Sequence, residues 1–413
     1  MCCLTYIMVT MKSIITAAAA GILLAGCTVS AVHGPMPTEE AEVPVLQDRE
    51  AAFVQESIDV FLFDGDLLPT VTPSGTPIEW TVTHGHANIQ DSVIFKTDGA
   101  LEYEPIGLSA SYGEDTVSFD SLTLGDPAVA YVISYFTSEG IDKEQLKLAY
   151  TFNGEYWFKI NEDRGILKPS SGTKRLRDPS LVRKPGGEFA LLATQGYNTD
   201  SIYVYDSRDL TTFENERALL LNVSKDGSMS GSQAWAPEAF FDPYLSGYVI
   251  LWSSPSDGGI YCSTSKDLVT ASYPKKMLDP GYPVIDITVV HSQNGWTAIL
   301  KDEREPMEEY SQVLRGTGVS WYAIDQFSEP IWQRHQVEGP MILKSLENEN
   351  WYVVLDDYTR SSYKLLKTKD IESGTFEELN DTDLMIPLEK PSHGHAIRIT
   401  WKELERLTQA FEN

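Results

Sequence analysis

The stretch RDPSLV at residues 177–182 places an aspartate at the start of a run of β-type residues. Related stretches begin with WAPE at 235–238, ID at 285–286 and EGP at 338–340, and a fifth, SHGH, follows at 392–395. The intervals are about 50 to 60 residues, close to the length of one four-stranded propeller blade with its loops. If each stretch opens the innermost strand of a blade, the acidic side chains converge at one end of a central axis.

A second repeat runs out of phase with the first. Strand-like segments followed by a turn with Asn or Asp recur at residues 148–157, 204–213, 261–268, 320–327 and 365–371. The last acidic-type stretch, in contrast, is followed by a single strand at 394–399. The sequence therefore predicts that this strand completes a blade begun by residues 130–158, which leaves no open edge. Residues 402–411 have apolar residues at helical spacing, which predicts a short helix with Thr400 as its N-cap.

The N-terminus carries a targeting segment. An apolar run at residues 14–24 is shorter than a membrane span, and LAGC at 24–27 resembles a bacterial lipoprotein box. The pattern predicts a signal peptide over residues 1–27 and acylation of Cys27. The protein is then exported and anchored by lipid to the bacterial cell membrane, outside the cytoplasm. A plain signal peptide cleaved nearby is the alternative.

The rest of the chain divides into three predicted segments, and the expected fold class is all-β. Residues 28–48 are rich in Pro, Glu and Ala and are predicted to be a linker. Residues 49–127 contain short alternating runs broken by turns, which predict a β-sandwich. This segment resembles the bacterial immunoglobulin-like modules found beside secreted glycosidases, with a generic sandwich spacer as the alternative. Residues 128–413 contain both repeats and are predicted to form a five-bladed β-propeller.

Composition excludes several classes of function. The net charge of −28 argues against nucleic-acid binding, because phosphate backbones are met by clustered Lys and Arg, whereas a neutral substrate is compatible. The sequence has no glycine-rich phosphate loop, no Cys and His spacing for zinc and no nucleophile-elbow serine. Once Cys27 is acylated, Cys262 is the only thiol of the mature chain, and its strand-like surroundings favour a buried, inert side chain.

The ordered combination of these motifs resembles glycoside hydrolase family 43, five-bladed propeller enzymes that act on arabinosides and xylosides. The resemblance covers about residues 130–410. It implies that Asp178 is the general base, that Glu338 is the general acid, and that Asp286 sets the orientation and pKa of the acid. Two departures stand out: Asp286 is followed by Ile rather than Pro or Gly, and Glu238 stands where many members have Asp. The Trp-Met-Asn-Asp-Pro stretch of related fructan-acting hydrolases is missing.

Hydrolysis with inversion requires a protonated carboxyl and an ionised carboxylate roughly 6.5–9.5 Å apart. The leading expectation is an inverting glycosidase that releases terminal α-L-arabinofuranose or β-D-xylose from plant or microbial glycans. The alternative is a catalytically inactive propeller that serves as a surface glycan-binding lipoprotein. Both have an oligo- or polysaccharide as partner, and neither requires a cofactor. The structural alternatives are turn residues for Asp178 and Asp286 and a solvated loop acid for Glu338.

Three motif residues are candidates for substrate binding. Trp235 suits stacking on a sugar, although packing between blades is as compatible with the sequence. Glu238 either lines the pocket or bonds to a neighbouring blade. The resemblance implies that His393 lies near the axis, where it sometimes holds a calcium ion or its waters. A buried, hydrogen-bonded histidine is the alternative.

A further group follows the middle strand of the predicted fourth blade. Asp356, Tyr358 and Arg360 lie where a loop would supply substrate contacts, and we expect Arg360 to bind substrate. His395 lies two residues after His393, and strict strand alternation would put both on the same face.

Overall fold

The computed structural model describes residues 34–44, 46, 48–306, 312–333, 336–380 and 382–411. The predicted signal peptide and Cys27 lie outside the described residues. Strands dominate these ranges, and none of their helices is long and apolar enough to cross a membrane.

The N-terminal unit is a helix, a four-stranded sheet and a two-stranded hairpin. Its elements are α1 (Arg49–Glu56), β1 (Phe61–Phe63), β2 (Ile78–His84), β3 (Ala87–Gln90), β4 (Val93–Lys96), β5 (Glu104–Tyr112) and β6 (Asp115–Gly125). The sheet order is β1-β6-β5-β2 with β1 parallel to β6, and β3 pairs with β4. Residues of α1 pack with the sheet in one apolar core. The immunoglobulin-like assignment stays a prediction.

Within the described part of the chain, residues 128–400 form five four-stranded antiparallel sheets. The first three strands are β7 (Ala128–Phe136), β8 (Lys147–Thr151) and β9 (Trp157–Lys159). Sheet 1 contains β10 (Arg177–Arg183), β11 (Phe189–Thr194), β12 (Ser201–Ser207) and β13 (Glu214–Leu220). Sheet 2 contains β14 (Trp235–Asp242), β15 (Gly247–Ser254), β16 (Gly259–Ser265) and β17 (Lys275–Leu278).

The remaining sheets follow the same order. Sheet 3 contains β18 (Val284–Ser292), β19 (Gly295–Asp302), β20 (Val313–Gly318) and β21 (Ile324–Phe327). Sheet 4 contains β22 (Val337–Lys344), β23 (Trp351–Asp357), β24 (Ser362–Thr368) and β25 (Glu377–Glu378). Sheet 5 has the order β26 (Ser392–Thr400), β7, β8, β9. The other helices are the 3₁₀ turns Asn161–Asp163 and Pro255–Asp257 and the final helix, α2 (Trp401–Phe411).

The first strands of the five sheets form a closed ring. Strand β10 contacts β14, β14 contacts β18, and β18 contacts β22. The ring is completed because β22 contacts β26 and β26 contacts β10. Strand β26 pairs antiparallel with β7, with Ile397 opposite Val132, as the sequence predicts. Both ends of the region therefore lie in one sheet, which ties the last strand of the region to the first.

The core lies between adjacent sheets. Strands β11, β15 and β19 are buried along their whole length, which explains their nearly continuous apolar sequences. Fully buried tryptophans occupy three of the interfaces: Trp252 between sheets 1 and 2, Trp321 between sheets 2 and 3, and Trp157 between sheets 4 and 5. Cys262 is buried too, and burial raises the pKa of its thiol to about 12, which fits an inert thiol.

Helix α2 begins with a capping box. The Glu403 N–H donates to Thr400 Oγ1 at 3.3 Å, and the Thr400 N–H donates to Glu403 Oε2 at 2.8 Å, which confirms Thr400 as the N-cap. The Glu403 carboxylate also accepts from Arg183 at 2.6 Å and from the Tyr103 hydroxyl at 2.8 Å. One buried glutamate thus joins the helix, sheet 1 and the N-terminal unit.

The N-terminal unit docks on the end of the ring where first and second strands are joined by hairpin turns. Thr123 Oγ1 donates to the carbonyl of Pro185 in the β10–β11 turn at 2.6 Å. The carboxylate of Glu56, at the end of α1, accepts from Ser320 Oγ at 2.7 Å and from the Trp321 N–H at 3.1 Å. Burial raises the pKa of Glu56 to about 8, and the charge of Asp242 adds to the increase, while the two hydrogen bonds oppose it.

The Glu56→Gln variant is expected to lose part of the pH dependence of stability. The unfolded chain ionises Glu56 near pH 4.5, whereas the folded chain resists ionisation up to about pH 8, so the glutamate destabilises the fold increasingly as pH rises between these values. Glutamine accepts the same hydrogen bonds and does not ionise. We expect the variant to match the parent within about 1 kcal/mol at pH 4.5 and to exceed it by about 2–4 kcal/mol at pH 8.5. Chemical denaturation at both pH values measures this, and an unchanged difference contradicts it.

Candidate active site

The first strands share a β-bulge near their starts, at the end of the ring opposite the N-terminal unit. The register shifts between Arg177 and Ser180, Trp235 and Glu238, Ile285 and Thr288, Glu338 and Met341, and Ser392 and His395. In the first four bulges one residue has positive φ: Asp178 at 46°, Ala236 at 45°, Asp286 at 54° and Gly339 at 54°. Bulges re-aim side chains, so these residues turn away from the regular alternation of the strand.

Three of the predicted site residues meet across the ring. His393 Nδ1 lies 3.8 Å from Asp178 Oδ1 and 3.9 Å from Asp286 Oδ2. Asp286 Oδ2 also accepts the N–H of Gly339 at 3.0 Å, and Gly339 directly follows Glu338. Strands of sheets 1, 3, 4 and 5 therefore supply one buried cluster.

Glu338 is bound to a lysine that the sequence analysis missed. Lys301 Nζ lies 3.3 Å from Glu338 Oε2 and 3.0 Å from Glu303 Oε2, and it lies 5.4 Å from the centre of the Tyr358 ring. Lys301 is only 1% exposed. Burial lowers its pKa, but the charges of Glu338, Glu303 and Asp286 outweigh burial and raise the pKa above the ordinary value. The side chain is therefore an ammonium ion. The sequence signal that could have identified it is a lysine directly after the apolar run of β19.

Two further acids of the cluster resist ionisation. Burial raises the pKa of Asp286 to about 6, the charges of Glu338 and Asp178 add to the increase, and His393 and Lys301 oppose it. Asp356, on β23, lies opposite Glu338 of β22, and its carboxylate accepts the backbone N–H of His393 at 3.0 Å. Burial, followed by the charge of Glu338, raises the pKa of Asp356 well above its ordinary value. The sequence offered Asp356 as a loop contact, whereas the structure places it in a strand within the cluster.

Side chains near the ends of the second strands bind the first strand of the next sheet. Thr194 Oγ1 accepts from the Ala236 N–H at 2.8 Å, Ser253 Oγ accepts from the Asp286 N–H at 2.9 Å, and Ser134 Oγ donates to the Pro179 carbonyl at 2.7 Å. The contact of Asp356 with the His393 backbone N–H and the contact of Lys301 with the Glu338 side chain complete the series. We call these five contacts the inter-sheet ties. They fix each bulge against its neighbour.

Glu238 lies below the cluster rather than at its rim. It is the first paired residue after the bulge of β14 and is buried, as Ser180 is in β10. Burial raises the pKa of Glu238 to about 8, with a further increase from the charge of Asp286. His395 has the corresponding position in β26, and burial lowers its pKa to about 4. The bulge between Ser392 and His395 breaks the alternation, which separates His395 from His393.

An aromatic wall stands beside Asp178. The indole N–H of Trp235 donates to the Tyr197 carbonyl at 2.7 Å, and the two rings lie 6.1 Å apart at 73°. The Arg177 guanidinium lies 4.5 Å from the Tyr197 ring centre and donates to Glu144 at 2.9 Å. Tyr197, which the sequence analysis did not single out, is 44% exposed. Arg175 also lies 4.8 Å from the centre of this ring, so the exposed part of Tyr197 borders two guanidinium groups.

Arg360 does not reach the acidic cluster. It lies in the turn between β23 and β24, with an exposed side chain whose Nε is 3.7 Å from Asp357 Oδ2. From the same turn, Tyr358 reaches Lys301.

The cluster does not fit direct coordination of calcium. Among the residues described here, no three His, Cys, Asp or Glu side chains are arranged as a metal-ligand set. Calcium prefers six to eight oxygen ligands, whereas His393 offers a nitrogen. The calcium ion that the resemblance leaves possible near His393 stays a prediction, and no step below is derived through it.

Comparison with known proteins adds a family match. The family Glyco_hydro_43_rel, described as "Probable glycosyl hydrolase domain", matches residues 126–405. The chain is also similar to an alpha-L-arabinofuranosidase of Bifidobacterium longum subsp. longum, with 24% identity over 238 residues. That similarity covers 46% of this chain but only 22% of the enzyme.

Solved structures give weaker similarities. A thermostable family-43 glycoside hydrolase shares 18% identity, with a TM-score of 0.40, and the match covers 50% of this chain and 72% of that one. The catalytic domain of a Coprinopsis cinerea family-62 alpha-L-arabinofuranosidase shares 14% identity, with a TM-score of 0.40 and coverage of 53% and 74%. An exo-beta-1,3-galactanase of Phanerochaete chrysosporium shares 16% identity, with a TM-score of 0.40 and coverage of 52% and 53%.

The Gly339→Ala variant is expected to disrupt the cluster. A Cβ at this position, where φ is +54°, would lie 2.5 Å from His393 Cγ. Gly113 is the matched control, because its φ is +59° and a Cβ there meets nothing within 4 Å. We expect Gly113→Ala to cost about 1 kcal/mol of stability through backbone strain alone. Gly339→Ala should cost at least about 2 kcal/mol more, through overpacking. Equal costs in denaturation experiments would contradict the placement of His393 against Gly339.

Proposed function

Because the chain belongs to the family of probable glycosyl hydrolase domains related to glycoside hydrolase family 43, we propose that it is an inverting glycosidase. Residues 128–413 are proposed to be its catalytic domain, a β-propeller in which each of the five sheets is one blade. Residues 49–127 are proposed to be an immunoglobulin-like spacer, joined to the signal segment by the linker at 28–48.

The observation that carries this proposal is the convergence of the motif acids from separate sheets. Asp178 and Asp286 both lie within 4 Å of His393, and Asp286 is bonded to the residue after Glu338. In the proposed reaction Glu338 gives its proton to the glycosidic oxygen, and Asp178 takes a proton from the attacking water. Asp286 is the positioning residue, because it holds the backbone that carries Glu338.

The crowding of carboxyl groups keeps protons on Asp286 and Asp356, which are the neighbours of the proposed acid. Asp286, Asp356 and Glu338 repel one another when ionised, so the free enzyme does not readily hold three negative charges there. The cluster therefore retains protons in a pH range where isolated carboxyl groups have lost them. A general acid needs a proton available near neutral pH.

The proposed substrate is a glycan with terminal α-L-arabinofuranose or β-D-xylose. The similarity to an alpha-L-arabinofuranosidase and the family resemblance of the motifs support this choice. The half-exposed Tyr197 and the adjacent Trp235 supply an aromatic surface for a sugar ring beside Asp178. We propose that Trp235 and His393 contribute to substrate binding and that Glu238 supports the site from below. Arg360 is proposed to contact the outer part of a longer glycan.

Replacement of Glu338 by Gln is expected to slow turnover strongly where the leaving group needs a proton. The purified full-length protein, in detergent, is assayed with chromogenic arabinofuranosides, xylosides and galactosides, and the anomeric form of the released sugar is followed by NMR. Loss of the proton donor should lower kcat/KM by about 10²–10⁴-fold on substrates with poor leaving groups. Glu378→Gln is the matched control, since Glu378 is equally exposed and also pairs with a lysine, but on the outermost strand of sheet 4.

Three outcomes oppose parts of the proposal. Release of the retained anomer contradicts inversion. Equal activity of the parent and Glu338→Gln contradicts the acid role. Sugar binding without turnover by the parent supports instead the glycan-binding lipoprotein considered above.

We propose that Cys27 carries the lipid that anchors the protein on the outside of a bacterial membrane. The sequence LAGC at 24–27 supports this. Metabolic labelling with an alkyne palmitate is expected to mark the parent and the Cys262→Ala control, in which a buried thiol is removed. The Cys27→Ser variant is expected to lose the label and to leave the membrane fraction. Retained labelling of Cys27→Ser would refute the assignment.

A further inference from the structure

We propose that Lys301 is a positioning residue that stabilises the carboxylate of Glu338 after this acid has given up its proton. The inference rests on the proposed function. It assigns a role to a side chain that none of the sequence motifs contains. The contacts of Lys301 distinguish it from a lysine that serves stability alone.

The burial of Lys301 requires compensation. Removing an ammonium ion from water costs several kcal/mol unless partners replace its hydration. Here the partners are Glu338 Oε2 at 3.3 Å, Glu303 Oε2 at 3.0 Å and the face of Tyr358. The Glu338 side chain stays 31% exposed while Lys301 is enclosed. The lysine therefore holds the acid from the protein side and leaves part of it open to a substrate.

The inter-sheet ties provide an internal comparison. Thr194, Ser253 and Asp356 occupy positions near the ends of β11, β15 and β23, and each accepts a backbone N–H of the next first strand. Lys301 occupies the same position in β19, but it binds the side chain of Glu338 instead. A small hydroxyl side chain serves the structural purpose in two of these sheets. A buried lysine at this position is therefore explained by the group that it meets.

The charge changes of the proposed reaction fit this contact. The Glu338 proton moves to the glycosidic oxygen while the bond between that oxygen and the anomeric carbon breaks, and the electron pair of that bond stays on the oxygen. Water bonds to the anomeric carbon and gives a proton to Asp178. Glu338 thus becomes negative and Asp178 becomes neutral. The negative charge develops beside Lys301, where a fixed ammonium ion stabilises the transition state more than the ground state.

The surrounding acids make this stabilisation necessary. Asp286 and Asp356 both lie close enough to Glu338 for its charge to raise their pKa values. The same repulsion that keeps protons in the cluster also resists the formation of a new carboxylate. Lys301 offsets that resistance during proton transfer. Removal of the Lys301 ammonium group should therefore lower kcat/KM most for the leaving groups that most require protonation.

The experiment varies the leaving group. The parent, Lys301→Met and Lys301→Arg are assayed with glycosides of the sugar that the parent cleaves, using 2,4-dinitrophenol, 4-nitrophenol and methanol as leaving groups. For Lys301→Met we expect a loss in kcat/KM below about 10-fold for dinitrophenol, which leaves without a proton, and at least about 100-fold for methanol. The arginine variant keeps the charge, so its kcat/KM should vary with the leaving group nearly as it does in the parent. Lys364→Met is the matched control, because Lys364 is also buried and paired with a glutamate.

The outcomes separate the two proposals. If the parent hydrolyses none of the glycosides, the proposed function fails and the role of Lys301 fails with it. If the parent is active and Lys301→Met loses the same factor with all three leaving groups, only the role of Lys301 is overturned. Where Lys301→Met does not fold, Lys301→Gln, which is polar and uncharged, tests the same slope, and a slope equal to the parent's overturns the inference. A slope unchanged from the parent in Lys301→Met, with Lys301→Arg alike, also refutes the inference.

Discussion

The site depends on hydrogen bonds and one ion pair that pass from each sheet to the next. Four of the five inter-sheet ties are buried and the Lys301–Glu338 tie is half-buried, and each joins the end of a second strand to the start of a first strand. A single tie contributes only about 1 kcal/mol net, but a buried backbone N–H left without a partner costs more. The ties therefore select one register and one bulge position in each sheet, and the direction of the acidic side chains follows from that choice.

The acidic cluster is unfavourable by itself, and the ring makes it possible. Asp178 and Asp286 have positive φ, a conformation that costs non-glycine residues about 1 kcal/mol or more. Their carboxylates also lie close to Asp356, which is buried, and to Glu338, whose side chain is 31% exposed. The His393 imidazole from sheet 5 and the Lys301 ammonium group from sheet 3 lie against these acids. Closure of the ring by β26 and β7 holds these opposing groups at short range.

The sequence predicted the parts of the structure that have local signals. The strand at 394–399, its pairing with β7 and the Thr400 cap could be inferred from repeat phase and capping chemistry. Lys301 could not, because its contact with Glu338 depends on the register between two sheets. Strand alternation could not place Glu238 and His395, because a bulge shifts every later residue of the strand by one position.

The two ends of the ring differ in how their buried acidic groups are compensated, and this difference separates structural from reactive roles. At the turn end, Glu403 is paired with Arg183, whereas Glu56 resists ionisation and binds Ser320, and both side chains join the N-terminal unit to the ring. At the bulge end, the acids face one another and are only partly compensated by Lys301 and His393. Groups whose charges are compensated stabilise a fold, whereas groups left in competition for protons are suited to transferring them. The N-terminal unit binds the turn end, so it does not cover the bulge end, where we propose that a glycan binds.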